Sequence, residues 1–431
     1  MRRFARPVYL VLAAMVLSSL AFAATTVDIK PDRESGVYDP GQTVTWSIDV
    51  PADKKPASGK IPYIIRLGGL DEVGKGEVDI VDGKATVTGT RADPGTLLLQ
   101  IKIKPAEGKE LVLHGGAIFA PDKIAPSAPP PDDFDKFWSD KVAALKAIPM
   151  NVQLTPVDIG VKGIEYFKVT FDNINGTKIY GQLAKPAGVE TNLPALLQVQ
   201  WAGVYKLERG WVVDQAKNGW LALNIEAHNL PIDESAEFYK EKAAKELNDY
   251  PGIGNDDREK AYFLPMFLSC YRAVDYLTER PEWNKKTVLV HGGSQGGYQT
   301  LVIAGLHPGV TAYAANVPAG CDHTGKQAKR APGWPNWASR TWQKKDYAKM
   351  LETSRYFDAM NFAGRIKCPG IIGFGLIDTV CPAEGVAATI NKIQGPKKVI
   401  IMPRSGHGGE GLPHGAYYAV FGSFLNEHKA K

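Results

Sequence analysis

Residues 292–297 read Gly-Gly-Ser-Gln-Gly-Gly, a G-x-S-x-G pattern with Ser294 at its apex. A serine hydroxyl becomes a nucleophile when a base takes its proton and a third group orients that base. In a chain with 44 glycines the pattern alone says little, so position must decide. Val288-Leu289-Val290 before it is a buried-strand run, and residues 298–306 after it read as a helix. Such a strand–turn–helix exposes the serine oxygen on a tight turn, and glycines leave no side chain to crowd it. The start of the helix turns unpaired N–H groups and a positive dipole end toward a developing oxyanion.

Eight histidines are available as the base. His407 alone lies in a glycine-rich loop, Ser405-Gly406-His407-Gly408-Gly409, directly after the last predicted strand. His414 is its main rival, and His291, beside the turn, is assigned to packing. Asp378 follows a strand predicted over residues 370–375, at the carboxyl end from which it can reach an imidazole on the next loop. The order Ser294, Asp378, His407 is that of an α/β-hydrolase. In that chemistry Ser294 attacks an ester carbonyl, His407 takes its proton, and Asp378 holds the imidazole tautomer. The backbone N–H of Gln295 is the expected oxyanion donor. A second should come from the loop 201–204, with Gly203 the chosen residue. No cofactor is required. Cys321-Asp322-His323 offers three sequence neighbours and no second cluster, so no metal site is expected.

These loops need a sheet to hold them. Residues 164–171 and 178–185 flank Asn175-Gly176 and predict a β-hairpin. Beyond it strands are expected over 195–200, 220–226, 287–290, 311–316, 370–375 and 397–402. A helix is expected over 258–279, with Tyr262, Met266, Phe267, Tyr271, Val274 and Leu277 on its apolar stripe. Alternation of this kind implies a mostly parallel sheet with helices on both faces, the α/β-hydrolase fold. Before residue 120 the pattern is all-β. Residues 43–50 alternate strictly, Asp82-Gly83 reads as a hairpin turn, and further strands are expected over 97–104 and 111–119. That is a small β-sandwich, immunoglobulin-like in its short strands, which carries no chemical constellation of its own.

The chain has 431 residues, 44% of them hydrophobic and 23% charged, which fits a folded protein of two or three domains. Residues 1–23 read as a secretory signal peptide: Arg2, Arg3 and Arg6, an uncharged apolar run, then Ala21-Phe22-Ala23. The apolar run is too short to span a bilayer, so a periplasmic or extracellular protein without stable membrane insertion is expected. The β-sandwich is assigned to residues 24–120, a stiff proline-rich linker to 121–131, and the hydrolase domain to 132–431. A net charge of +5, with three of the arginines in the signal segment, is no nucleic-acid footprint. Four cysteines in so long a chain are too few for a disulfide scaffold.

From about residue 130 onward the chain resembles the acetyl xylan esterase / cephalosporin C deacetylase family. Phe134-Asp135-Lys136-Phe137-Trp138 is similar to its opening helix and Gly293-Ser294-Gln295-Gly296-Gly297 to its serine motif. Arg355-Tyr356-Phe357-Asp358, Asn361-Phe362-Ala363 and Ile366-Lys367-Cys368-Pro369 resemble the segments leading to the acid. Gly375-Leu376-Ile377-Asp378-Thr379-Val380-Cys381-Pro382 is the most specific match, and Gly406-His407 completes it. The resemblance implies removal of acetyl groups from xylo-oligosaccharides or similar small esters. The chain departs from the family at two loops: Glu226-Ala227-His228-Asn229 stands where Arg-Gly-Gln is expected, and Trp201-Ala202-Gly203 replaces His-Gly-Tyr. The family's compact members also lack the N-terminal β-domain.

An insertion over residues 318–361 is expected to cap the site. Within it Trp334 and Trp337 are candidates to stack on a sugar face, with interior packing the competing role. Two other readings stay open: a dienelactone-hydrolase-like or peptidase-like enzyme acting on a different ester or amide, and a carbohydrate-binding protein on an inactive hydrolase scaffold. The second would need a missing triad member, and none is missing. The oligomeric state is left open.

Overall fold

The computed structural model describes residues 26–56, 58–105, 108–339 and 346–429; the predicted signal peptide lies outside them. Eight strands build the N-terminal domain: β1 (Asp28–Pro31), β2 (Val37–Tyr38), β3 (Thr43–Asp49), β4 (Lys60–Leu67), β5 (Asp71–Asp79), β6 (Lys84–Thr90), β7 (Gly95–Ile103) and β8 (Leu111–Phe119). They form two sheets, ordered β1-β3-β6 and β2-β8-β7-β4-β5. The alternation of β3 turns Val44, Trp46 and Ile48 into the core these sheets share, against Leu97, Leu99 and Phe119. Asp82-Gly83 does form a two-residue turn, both residues at positive φ. Val81 and Lys84 close it as an antiparallel bridge, each donating its N–H to the other's carbonyl, but the hairpin goes no further: β5 pairs with β4 and β6 with β3, so the turn carries the chain from one sheet to the other. β4 escaped the sequence reading because Ile61-Pro62-Tyr63-Ile64-Ile65 has no period-two alternation.

The second domain adds β9 (Gln153–Pro156), β10 (Ile164–Asp172), β11 (Lys178–Pro186), β12 (Leu193–Gln198), β13 (Leu221–Ile225), β14 (Trp283–Gly293), β15 (Ala312–Asn316), β16 (Gly370–Gly375) and β17 (Lys397–Met402). Their order is β17-β16-β15-β14-β12-β13-β11-β10-β9. β13 through β17 and β12 pair in parallel, and β9, β10 and β11 continue the sheet antiparallel. Successive side chains of each central strand face opposite ways, so the sheet needs cover on both sides. Nine helices supply it: α1 (Phe134–Lys146), α2 (Gly210–Lys217), α3 (Ala236–Ala244), α4 (Phe263–Glu279), α5 (Gln295–Leu306), α6 (Tyr347–Phe357), α7 (Ala359–Ala363), α8 (Ala383–Lys392) and α9 (Gly415–Lys429), counted among the described residues. α4, α5, α7 and α8 pack on one face with Leu197, Val290 and Ile372. α2 and α9 cover the other with Leu196, Leu289 and Ile371. This is the α/β-hydrolase fold.

The proline-rich linker, expected to run extended, opens instead with a short 3-10 turn over Pro121–Lys123, and it is tied down along its length. Asn391 donates to the carbonyls of Pro121 and Ile124, Arg330 to that of Ala125, and Arg355 to those of Pro129 and Pro130. The two domains also touch closely. A Cβ on Gly116 of β8 would fall 2.5 Å from the backbone oxygen of Leu376, and one on Gly36 would fall 2.9 Å from Pro403. The β-sandwich therefore rests on the two loops that follow β16 and β17.

Candidate active site

Those two loops and the turn after β14 meet at the carboxyl end of the sheet. Ser294 sits between β14 and α5 at φ 55°, ψ −120°, a conformation rare for a residue with a side chain. Its neighbours are glycines for steric reasons. A Cβ on Gly292 would lie 2.6 Å from the backbone of Gly296, and one on Gly296 would lie 2.6 Å from the carbonyl oxygen of Val199. Gln295 opens α5, so its N–H belongs to the first turn, whose amides have no partner within the helix. Its side chain is fully buried and accepts a hydrogen bond from the Tyr250 hydroxyl.

Nε2 of His407 lies 2.8 Å from Ser294 Oγ, and Nδ1 lies 2.8 Å from Asp378 Oδ2. The other oxygen of Asp378 accepts from the backbone N–H groups of Val380 and Cys381, at 2.8 and 2.7 Å. That carboxylate is buried, its orientation is fixed, and its free oxygen is aimed at the imidazole. The acid and base loops cross so tightly that a Cβ on Gly375 would fall 1.9 Å from the Ser405 carbonyl oxygen. The three residues singled out from the sequence are thus brought together, about 80 and 110 positions apart in the chain. Their arrangement permits proton transfer from the serine and stabilisation of the imidazolium that results.

His414, the rival base, is occupied elsewhere. Its Nε2 donates to the Gly406 carbonyl at 2.8 Å and its Nδ1 accepts from the Asn316 amide at 2.9 Å. It braces the base loop. His291 has its base strength lowered to about 4 by burial, as a packing residue would. Asp378, Cys381 and His407 offer ligand atoms close enough to share a metal ion. Two of the three are already each other's hydrogen-bond partner, and burial beside Asp378 holds the Cys381 thiol well above its ordinary pKa. This is the environment of a proton relay rather than a cation.

A cavity of about 480 Å³ opens over Ser294 and His407. Trp334 lines it, together with Trp201, Val317, Val380 and Tyr418. Trp337 does not: it is buried, stacks on Phe357, and donates from its ring N–H to the Asn255 carbonyl at 2.7 Å. Of the two tryptophans expected at a sugar face, one is a core residue. From the insertion that was expected to cap the site, Trp334 alone contributes to the cavity wall among the described residues. Gly203 also falls outside the wall. Its carbonyl is bound by His228 Nε2 at 2.9 Å, and Trp201 and Ala202 stand at the cavity in its place. The loop 201–204, expected to supply the second oxyanion donor, does border the cavity, but its lining residues lie one or two positions before Gly203. Val317 was missed: a buried valine at φ 40° just after β15, it carries no composition signal.

The acetyl xylan esterase (AXE1) family model matches residues 122–419. Acetyl esterase Axe7A of Xylanibacter ruminicola is 31% identical over 382 residues, covering 88% of this chain and 85% of that protein. A match of that length extends into the β-sandwich. Among solved structures, an acetyl xylan esterase from Paenibacillus sp. R4 is 25% identical with a TM-score of 0.60, covering 72% of this chain and 98% of that one. Acetyl xylan esterase 1 from Thermoanaerobacterium sp. JW/SL YS485 shares the fold, with a TM-score of 0.61 at 21% identity over 71% of this chain and 97% of that one. A carboxylic ester hydrolase by descent as by fold, the chain belongs to the acetyl xylan esterase (AXE1) family.

Proposed function

We propose that this protein is an exported serine esterase that removes acetyl groups from acetylated xylo-oligosaccharides through Ser294, His407 and Asp378. The observation that carries the reading is the continuous chain Ser294 Oγ, His407 Nε2, His407 Nδ1, Asp378 Oδ2, with both links at 2.8 Å, at the floor of an open cavity. Ser294 Oγ attacks the acetyl carbonyl while its proton moves to His407 Nε2. The oxyanion is held by the Gln295 N–H and an N–H of the Trp201-Ala202 turn. His407 returns the proton to the sugar oxygen as the ester C–O bond breaks. Water then attacks the acyl-serine by the same route and releases acetate. Export is supported by the basic, apolar and small-residue sequence of residues 1–23.

The test is acetate release by the chain starting at Ala24 from acetylated xylo-oligosaccharides, beside p-nitrophenyl acetate and butyrate. Acetate release with little butyrate turnover supports a carbohydrate deacetylase. Turnover of the aryl esters alone keeps the serine mechanism and discards the sugar, and inactivity on all of them discards the reading.

A further inference from the structure

A second cavity, of about 600 Å³, lies between the two domains and shares His407 and Val380 with the first. Its far wall is the β-sandwich, from β1 and the outward face of β8; its near wall comes from the loops after β16 and β17. We propose that this groove binds the alcohol side of the substrate, so that the β-sandwich grips a neutral oligosaccharide chain running away from the serine. The proposal rests on the esterase reading above and specifies which part of the molecule recognises the sugar.

Three observations carry it. The first is directional. His407 must hand its proton to the departing sugar oxygen, so the alcohol leaves on the side His407 occupies, and the interdomain groove borders that same imidazole. The second is apolar exposure. Val112, Val380 and Leu412 are 46%, 41% and 42% exposed and all line the groove, while exposed Trp201 and Tyr418 continue the surface into the serine cavity. Large apolar side chains gathered along one path mark a binding surface rather than scattered exposure. An acetyl group fills little of two cavities within the size range of small-molecule sites, so the remaining room must serve the alcohol.

The third is charge and rigidity. Arg404 is already paired with Asp28 across the domain boundary, and Glu410 is the other carboxylate in the groove. Among the described residues no excess of positive charge is offered to an anionic chain, which favours a hydroxyl-rich neutral one. The walls are also fixed before a ligand arrives, because β8 rests on Leu376 at Gly116 with no room for a side chain. A preformed groove binds without an ordering cost.

The experiment measures kcat/KM for acetylated xylo-disaccharide, xylo-hexasaccharide and p-nitrophenyl acetate in wild type, Val112→Asp, Leu412→Asp and, outside the groove, Val81→Asp. The wild type should favour the hexasaccharide, chiefly through KM. In the two groove variants the ratio of hexasaccharide to aryl acetate kcat/KM should fall about fivefold or more, while Val81→Asp keeps the wild-type ratio. Thermal melts check that each variant is folded. Sugar turnover with no length preference, or groove variants with the wild-type ratio, overturns the groove and leaves the esterase reading standing. Aryl ester turnover without any sugar turnover overturns the groove together with the sugar substrate and leaves only the serine mechanism standing.

Discussion

His228 holds the loop beside the nucleophile by donating from Nε2 to the carbonyl oxygen of Gly203, at 2.9 Å. A carbonyl can only accept, so the proton sits on Nε2 and Nδ1 accepts from the Tyr262 hydroxyl at 3.0 Å. Burial keeps the ring neutral by lowering its pKa to about 4. Two residues before Gly203 and one before it stand Trp201 and Ala202, at the cavity wall. In the mechanism proposed above, His228 is therefore a positioning residue for the loop assigned the second oxyanion donor. His228→Ala should lower kcat on p-nitrophenyl acetate by roughly tenfold or more with little change in KM. His228→Gln, which keeps a donor, should recover much of the loss. A merely structural role would lower the melting temperature and leave kcat intact below it.

Ser294 stands at φ 55°, ψ −120°, where a side chain costs about 1–3 kcal/mol. Nucleophile and strain can be separated. Ser294→Ala should reduce turnover about 10⁴-fold or more and leave stability close to wild type. Ser294→Gly should be equally inactive yet more stable than the alanine variant by about 1 kcal/mol, since glycine adopts that backbone freely. Urea unfolding of both variants, with acetate release, checks the pair. Wild-type activity in the alanine variant would remove Ser294 from the mechanism.

Much of this site was legible because its parts are local. Gly292, Ser294 and Gly296 announce a strained turn by composition, and the runs 288–290 and 370–375 are continuous apolar strands that fix where Ser294 and Asp378 emerge. His407 stood out by its glycine-rich loop. What could not be read depends on contacts between distant segments. Trp334 and Trp337 are three residues apart with the same composition around them, yet one faces the cavity and the other stacks on Phe357. The Asp82-Gly83 turn has hairpin chemistry, but β4 and β3 compete successfully for its two flanking strands. The contact of β8 with Leu376 involves residues about 260 apart, and nothing in Gly115-Gly116 signals a partner.

Glu384 opens α8 and binds the β-sandwich with both oxygens. Oε2 accepts from Arg91 at 2.9 Å and from the Thr96 backbone N–H at 2.7 Å, Oε1 accepts from Arg91 at 3.5 Å, and Arg330 of the hydrolase domain lies 3.8 Å from Oε1. Glu384 and Arg330 are buried and Arg91 nearly so. Removing Glu384 leaves Arg91 without its carboxylate, while Arg330 keeps its pair with Asp322; breaking a buried pair of this kind costs about 3–5 kcal/mol. Glu384→Ala should therefore produce an early calorimetric transition as the β-sandwich undocks. Replacing Arg91 and Glu384 together by methionine should cost less than the sum of the single changes. An unaltered melt in Glu384→Ala would show that the ion pairs do not fasten the domains.

Stability should peak near pH 6.5 and fall on both sides, for reasons traceable to five buried groups. Burial lowers His228 and His291 to about 4 and His323 to about 3, so all three are neutral in the fold. Their contribution is complete above the unfolded value of 6.5 and is lost as the pH falls toward 4, because the unfolded chain takes up three protons the fold refuses. Burial raises Glu226 to about 8, with its Oε1 lacking a partner. This group contributes fully below the unfolded value of 4.5, and its contribution is lost as the pH rises through 8. Asp358, raised to about 7 by burial and by Asp322 beside it, behaves in the same way; between 4.5 and 6.5 the three histidines still outweigh the two carboxyls, so stability rises with pH. Above 6.5 the two raised carboxyls act with the opposite sign, Asp358 until it ionises near 7 and Glu226 until it ionises near 8, each by about 1.4 kcal/mol per unit. Glu226→Gln keeps an oxygen for the His228 and Leu230 N–H groups and cannot ionise. Urea midpoints from pH 5 to 8.5 should lose their decline above pH 7 in that variant and keep the acid one. A decline above pH 7 that persists in Glu226→Gln would assign it to another group.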